Sequence, residues 1–101
     1  MIFNYQMILN QLDLFFKCCF QHNELNALQK NLPDEEFCIV NVPAENTFYG
    51  VMNDELHGKF LDILSGETLE QLEYVDKIDF RDLNYTNVIG NEELLKKNLS
   101  S

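Results

Sequence analysis

The architecture of this chain turns on residues 2–20, Ile2 through Phe20, which run IFNYQMILNQLDLFFKCCF. Tyr5, Ile8, Leu9, Leu12, Phe15, Phe16 and Cys19 recur at the i, i+3, i+4, i+7 spacing of one helical stripe. Gln6, Asn10, Asp13 and Lys17 fall roughly opposite. The pattern predicts an amphipathic helix over the whole segment. Phe3, Met7, Leu14 and Cys18 form a second, narrower stripe on another side. A surface helix buries only one stripe. The second therefore predicts either a central helix covered on two sides or an oligomer surface, because exposed apolar patches above a few hundred Å² mark interaction sites. The segment has no basic n-region and no small-residue cleavage site, so it is not read as a secretory signal. Nor does any uninterrupted apolar run approach the ~20 residues of a membrane-spanning helix.

Gln21-His22-Asn23 breaks the pattern. Asn23 is the expected N-cap of a second helix, with Glu24 at its positive end, Leu25, Leu28 and Leu32 as its apolar face, and Pro33 as its stop. The two helices predict an αα-hairpin. After the acidic turn Asp34-Glu35-Glu36, residues Phe37 to Val42 read as a strand that is apolar on both faces until Asn41, hence central in a sheet. Thr47 to Met52 is its hairpin partner across the turn Pro43-Ala44-Glu45-Asn46. Asn53 caps a further helix that buries Leu56, Phe60, Leu61 and Leu64, with Ser65-Gly66 closing it. Leu83 to Ile89 is ambiguous, though Tyr85, Thr86, Val88 and Ile89 favour a strand. Asn91 opens a last helix, with Glu92 and Glu93 at its positive end and Lys96 and Lys97 at its negative end. The expected fold is a single α+β domain over residues 1–101, an N-terminal helical hairpin packed on a small antiparallel sheet of three or four strands with further helices.

Between the fourth of these segments and the ambiguous one lies ETLEQLEYVDKIDFRD, residues 67–82. Glu67, Glu70, Glu73, Asp76, Asp79 and Asp82 stand at every third position. Each step of three along a helix lags by about 60°. Glu67, Glu70 and Glu73 can therefore share one strip, with Cβ atoms about 5–6 Å apart, but all six cannot. The expectation is a helix from Glu67 to Glu73 and then a strand over Lys77 to Arg81, with Ile78 and Phe80 inward. The acids would wrap from a helix around a corner onto a sheet edge.

Seventeen acidic residues against seven basic ones give a formal charge of −10. That balance excludes binding to nucleic acid or to an anionic membrane, which need a basic footprint. It favours a basic partner, whose arrival it can accelerate by about 10–10³-fold. Tyr74 within the ladder, and Phe48 or Tyr49 near it, are candidate aromatic anchors.

Catalytic and metal chemistry find no comparable pattern. Cys18, Cys19 and Cys38 are odd in number and lack a C-x-x-C spacing, which suits reduced thiols in a cytosol. Cys19 and Cys38 read as buried structural residues. His22 and His57 are too far apart in pattern to converge with an acid on a metal, and His57 reads as a surface histidine. No P-loop, dinucleotide fingerprint, nucleophile elbow or EF-hand run occurs. No catalytic residue, metal or cofactor is therefore expected.

The expected function is that of a small acidic cytoplasmic immunity- or antitoxin-type protein of bacterial kind. It would neutralise a toxin, best a nuclease, by covering its basic surface with Glu67, Glu70, Glu73, Tyr74, Asp76, Asp79 and Asp82. The alternative is a homo-oligomer, such as a dimer, built through Phe3, Met7, Leu14 and Cys18. Tyr49-Gly50, followed by Leu56, Asp62, Leu64 and Gly66 in a capped helix, is similar over less than a fifth of the chain to the barstar-type ribonuclease inhibitors. The interval from Tyr49-Gly50 to the aspartate is longer by one helical turn, and the tryptophan of that family is absent. No site residue is carried over from it.

Overall fold

A computed structural model describes residues 12–97. Five strands form one sheet: β1 (Asp13–Cys18), β2 (Phe37–Val42), β3 (Thr47–Asn53), β4 (Glu73–Val75) and β5 (Thr86–Gly90). Their order is β4-β1-β3-β2-β5, and every neighbouring pair is antiparallel. Among the described residues four helices accompany them: α1 (His22–Asn31), α2 (Asp54–Ile63), α3 (Gly66–Gln71) and α4 (Glu93–Lys97). The class is α+β, as the residue pattern predicts. Among the described residues no helix is long and apolar enough to cross a membrane.

The expected N-terminal helical hairpin and its sheet of three or four strands are not matched over the described residues: the sheet has five strands, and the end of the expected first helix is extended, while residues 2–11 of it lie outside the described residues. Residues 13–18 are a strand, paired from Asp13↔Asn53 to Cys18↔Phe48 on one side and from Phe15↔Val75 to Lys17↔Glu73 on the other. Phe16, Cys18 and Phe20 go into one core, while Phe15 packs against the other. A strand covered on both faces carries adjacent apolar residues, and Phe15-Phe16 then imitates the spacing of a helical stripe. Leu14 is half-buried opposite Met52, and Cys18 is buried. These two therefore do not share an exposed helix face. Phe3 and Met7, the other half of the expected oligomer surface, lie outside the described residues.

Two apolar layers sandwich the sheet. Leu28 and Leu32 of the α1 region and Leu56, Phe60 and Leu64 of the α2 region cover Phe16, Phe37, Ile39 and Met52. On the opposite face Ile78 and Leu95 cover Cys38, Val40 and Val51, with Phe15, Tyr49, Phe80, Leu83 and Tyr85 around them. Burial on both faces explains why β2 is apolar at nearly every position. Gly50 sits at the centre of β3, paired with Phe16 and Ile39, and lets the Phe16 ring lie directly on the backbone. Gly90 ends β5 at φ +90°, a conformation that L side chains rarely adopt.

Local signals place the helices, with two corrections. The Asn53 side chain accepts from Leu56 N at 3.0 Å, the expected cap of α2. Helix α1 is capped at Gln21 rather than Asn23, because Glu24 reaches back to accept from Gln21 N at 2.9 Å. Ser65-Gly66 does not close α2. Ser65 is the N-cap of α3, its hydroxyl accepting from Thr68 N at 3.3 Å, and Gly66 is the first helical residue.

Cys19 is exposed, against expectation, because the chain leaves the sheet after Cys18; its thiol donates to the Asn46 carbonyl at 3.5 Å. Burial pushes the Cys18 thiol up to about 11 and that of Cys38 up to about 12. One of the three free thiols should therefore react quickly with a thiol reagent in the folded protein, and all three in urea. Fast reaction of two or three in the native state would contradict the burial of Cys18 and Cys38.

Candidate functional site

The acids of residues 67–82 run from α3 through β4 to the turn at Phe80–Asp82 and do not share one face. Glu67 and Glu70 project from α3, whose inward residue is the buried Thr68. Both are exposed. The chain then turns at Leu72 into β4, the outermost strand on that side. The expected strand at Lys77 to Arg81 is displaced to residues 73–75. Phe80–Asp82 is a single 3₁₀ turn, because the Asp79 carboxylate accepts from Arg81 N at 3.1 Å and holds the backbone curled. Ile78 and Phe80 nonetheless point inward, onto the second core.

Strand alternation splits the ladder. Glu73 pairs with Lys17, which also pairs with Tyr49, so these three share the face of the second core. Lys17 Nζ is 3.8 Å from Glu73 Oε1. Tyr74 pairs with Phe16 and so lies on the helix face. There its hydroxyl shares a hydrogen bond with His57 Nε2 of α2, the two rings 5.6 Å apart. Burial, and then the nearby Cys18, raise the Tyr74 hydroxyl above its ordinary value. The ring stays 48% exposed.

Asp79 is engaged by Arg81, whose Nε donates at 3.1 Å, and this bond first of all holds the Asp79 carboxyl below its ordinary value. Asp82 sits near the same guanidinium and helps raise it. Glu67, Glu70 and Asp76 are exposed, with no ion pair to another described residue within 4 Å. Exposed pairs such as Lys17–Glu73 contribute only about 0–1 kcal/mol, so Glu73 is readily surrendered to another cation.

No family model, curated protein or solved structure matches the chain. The chemistry of its sites therefore rests on its own geometry.

His57 is not the plain surface residue its position suggests. It is half-buried and ties α2 to β4 through Tyr74. Residues 57 and 74 stand 17 apart, beyond any local spacing rule. Sequence reasoning also missed Glu24, which is only 4% exposed. Its carboxylate accepts from Gln21 N at 2.9 Å, Ser65 N at 2.7 Å and the Thr68 hydroxyl at 2.8 Å. Burial raises this carboxyl and the four hydrogen-bonding groups around it lower it, and the lowering wins. Every bond of this buried acid is internal, and it fastens α1 to the α2–α3 junction that carries Glu67 and Glu70.

A shallow cleft of about 320 Å³ lies elsewhere, lined by Pro33, Glu36, Glu55, Leu56 and Lys59. Its carboxylates are exposed, and it lacks the dry wall that acid–base chemistry needs to separate two carboxyl pKa values. Among the described residues no group of three or more His, Cys, Asp or Glu side chains is arranged to hold a metal ion.

Proposed function

We propose that this protein binds a basic protein partner through the acidic end of its sheet. It acts as a small cytoplasmic immunity- or antitoxin-type inhibitor, without catalysis, that covers the cationic surface of a toxin, best a nuclease. The observation that carries the reading is the state of the acids around β4. Glu67, Glu70 and Asp76 are exposed without an ion pair to another described residue, and Glu73 holds only a long exposed pair. With a formal charge of −10 behind them, they present an uncompensated anionic surface. Tyr74 offers an exposed aromatic ring among them, held in place by His57, as interface anchors are. Glu67, Glu70, Glu73 and Asp76 with Tyr74 form the working part; Asp79, bonded to Arg81, and Asp82, near the same guanidinium, belong to its rim.

The test is affinity capture from the native cell at low salt, eluted at high salt, with the E67K/E70K/D76K variant beside the wild type. Wild type should retain a basic nuclease-type protein that the variant loses. Equal retention would leave these acids as a solvated face only.

A further inference from the structure

We propose that the partner enters as an extended segment that adds a sixth strand to the outer edge of β4, with basic residues flanking an apolar pair. The inference rests on the reading above and specifies how that site is filled. Among the described residues β4 is hydrogen-bonded on one side only, to β1, so its outer N–H and C=O groups face away from the sheet. An unpaired edge is a template for another strand. The opposite edge, β5, is interrupted by a bulge and by the positive φ of Asn87 and Gly90, which turn it away from flat pairing. It also carries no charge, whereas the β4 edge is framed by Glu73 and Asp76, with Glu67 and Glu70 on the adjoining helix. Charge complementarity therefore selects β4, and a basic occupant.

The register of β4 dictates the order of side chains in that occupant. Directly opposed residues on an antiparallel pair lie about 4.5–5.5 Å apart between Cβ atoms. Glu73 points to the second core's face beside Lys17, Tyr74 to the helix face, and Val75 back to the second face against Phe15. A strand running antiparallel to β4 thus meets Asp76, Val75, Tyr74 and Glu73 in turn. Its fitting sequence is basic, apolar, aromatic, basic. The lysine or arginine opposite Glu73 displaces Lys17 from its 3.8 Å pair.

The experiment uses two peptides of one composition, GSKVFKSG and GSVKKFSG, added to the full chain at low salt. Binding is read by fluorescence anisotropy and by amide hydrogen exchange. GSKVFKSG should bind about tenfold tighter than its permutation, the preference that four cross-strand pairs supply together. It should also slow exchange within residues 73–75. The E73K/D76K variant should reverse the charge preference and select GSEVFESG. Equal binding of the two lysine peptides, or binding without slowed exchange in β4, overturns strand addition. So does failure of both to bind, or protection of the outward-facing β4 amides, those not bonded to β1, before any peptide is added, since the edge would then already be occupied. The two readings fail separately. If E67K/E70K/D76K loses the partner but the peptides bind alike, the acidic site stands and only its strand mode falls; if that variant retains the partner, the site itself falls.

Discussion

Replacing Glu24 by alanine should lower the unfolding free energy by about 3–5 kcal/mol at neutral pH. Hydrogen bonds to a charged acceptor contribute more than neutral ones, and donors left without a partner cost their full desolvation. Truncation removes the acceptor of the Thr68 hydroxyl, in a position only 1% exposed, leaving it the Ser65 hydroxyl alone, and removes the acceptor from Ser65 N and Gln21 N. Glu24→Gln should cost less, because the amide oxygen still accepts, but its NH₂ must face one of the three donors. The pH dependence follows from the direction of the shift. The folded carboxyl titrates below its ordinary value of 4.5, so its contribution is fully present above that value and is lost as the pH falls through the folded pKa. Urea unfolding at pH 7 and in acid should show the gap between wild type and E24A closing on acidification. A gap that stayed constant would mean that the ionised form has no special role.

The second large effect is at Gly50. A Cβ there would lie 2.6 Å from Phe16 Cε1 and 3.1 Å from Ile39 Cγ1. The ring cannot move aside cheaply. Phe16 is fully buried, with the Phe60 ring 4.7 Å away on one side and Phe20 at 6.3 Å on another. Gly50→Ala should destabilise by about 3 kcal/mol, the upper part of the range for overpacked cores. Phe16→Leu in the same chain should recover part of that loss. Its own cost is a smaller apolar group, while the double variant relieves the clash, so the two changes should be non-additive. Thermal or urea unfolding of the two single variants and the double variant reads this directly. Simple additivity would mean that the two residues do not meet.

The contrast between these two positions shows what the sequence discloses. Strands β2 and β3, and helix α2 with its Asn53 cap, are legible because their determinants are local: a continuous apolar run, a turn at Pro43 to Asn46, and a cap three residues from its donor. Strand β1 was not legible, since its apolar residues serve two cores at once and so lose the alternation of a half-buried strand. Strand β4 was hidden for another reason. Three residues are too few to break a periodicity that runs on from α3, and pairing with β1 alone decides their state. Glu24 was legible only as a charge at the start of a helix, because its other donors lie 41 and 44 residues away. The charge of the candidate site was legible residue by residue. Its division over two faces of a sheet edge was not, because that depends on the displaced strand.

The most direct test of the acidic edge is the association rate of the captured partner, measured against ionic strength for wild type and for E67K/E70K/D76K. The wild-type rate should fall steeply as salt rises, while the variant should associate at least about tenfold more slowly at low salt and respond weakly to it. Equal rates with equal salt dependence in both proteins would contradict the account.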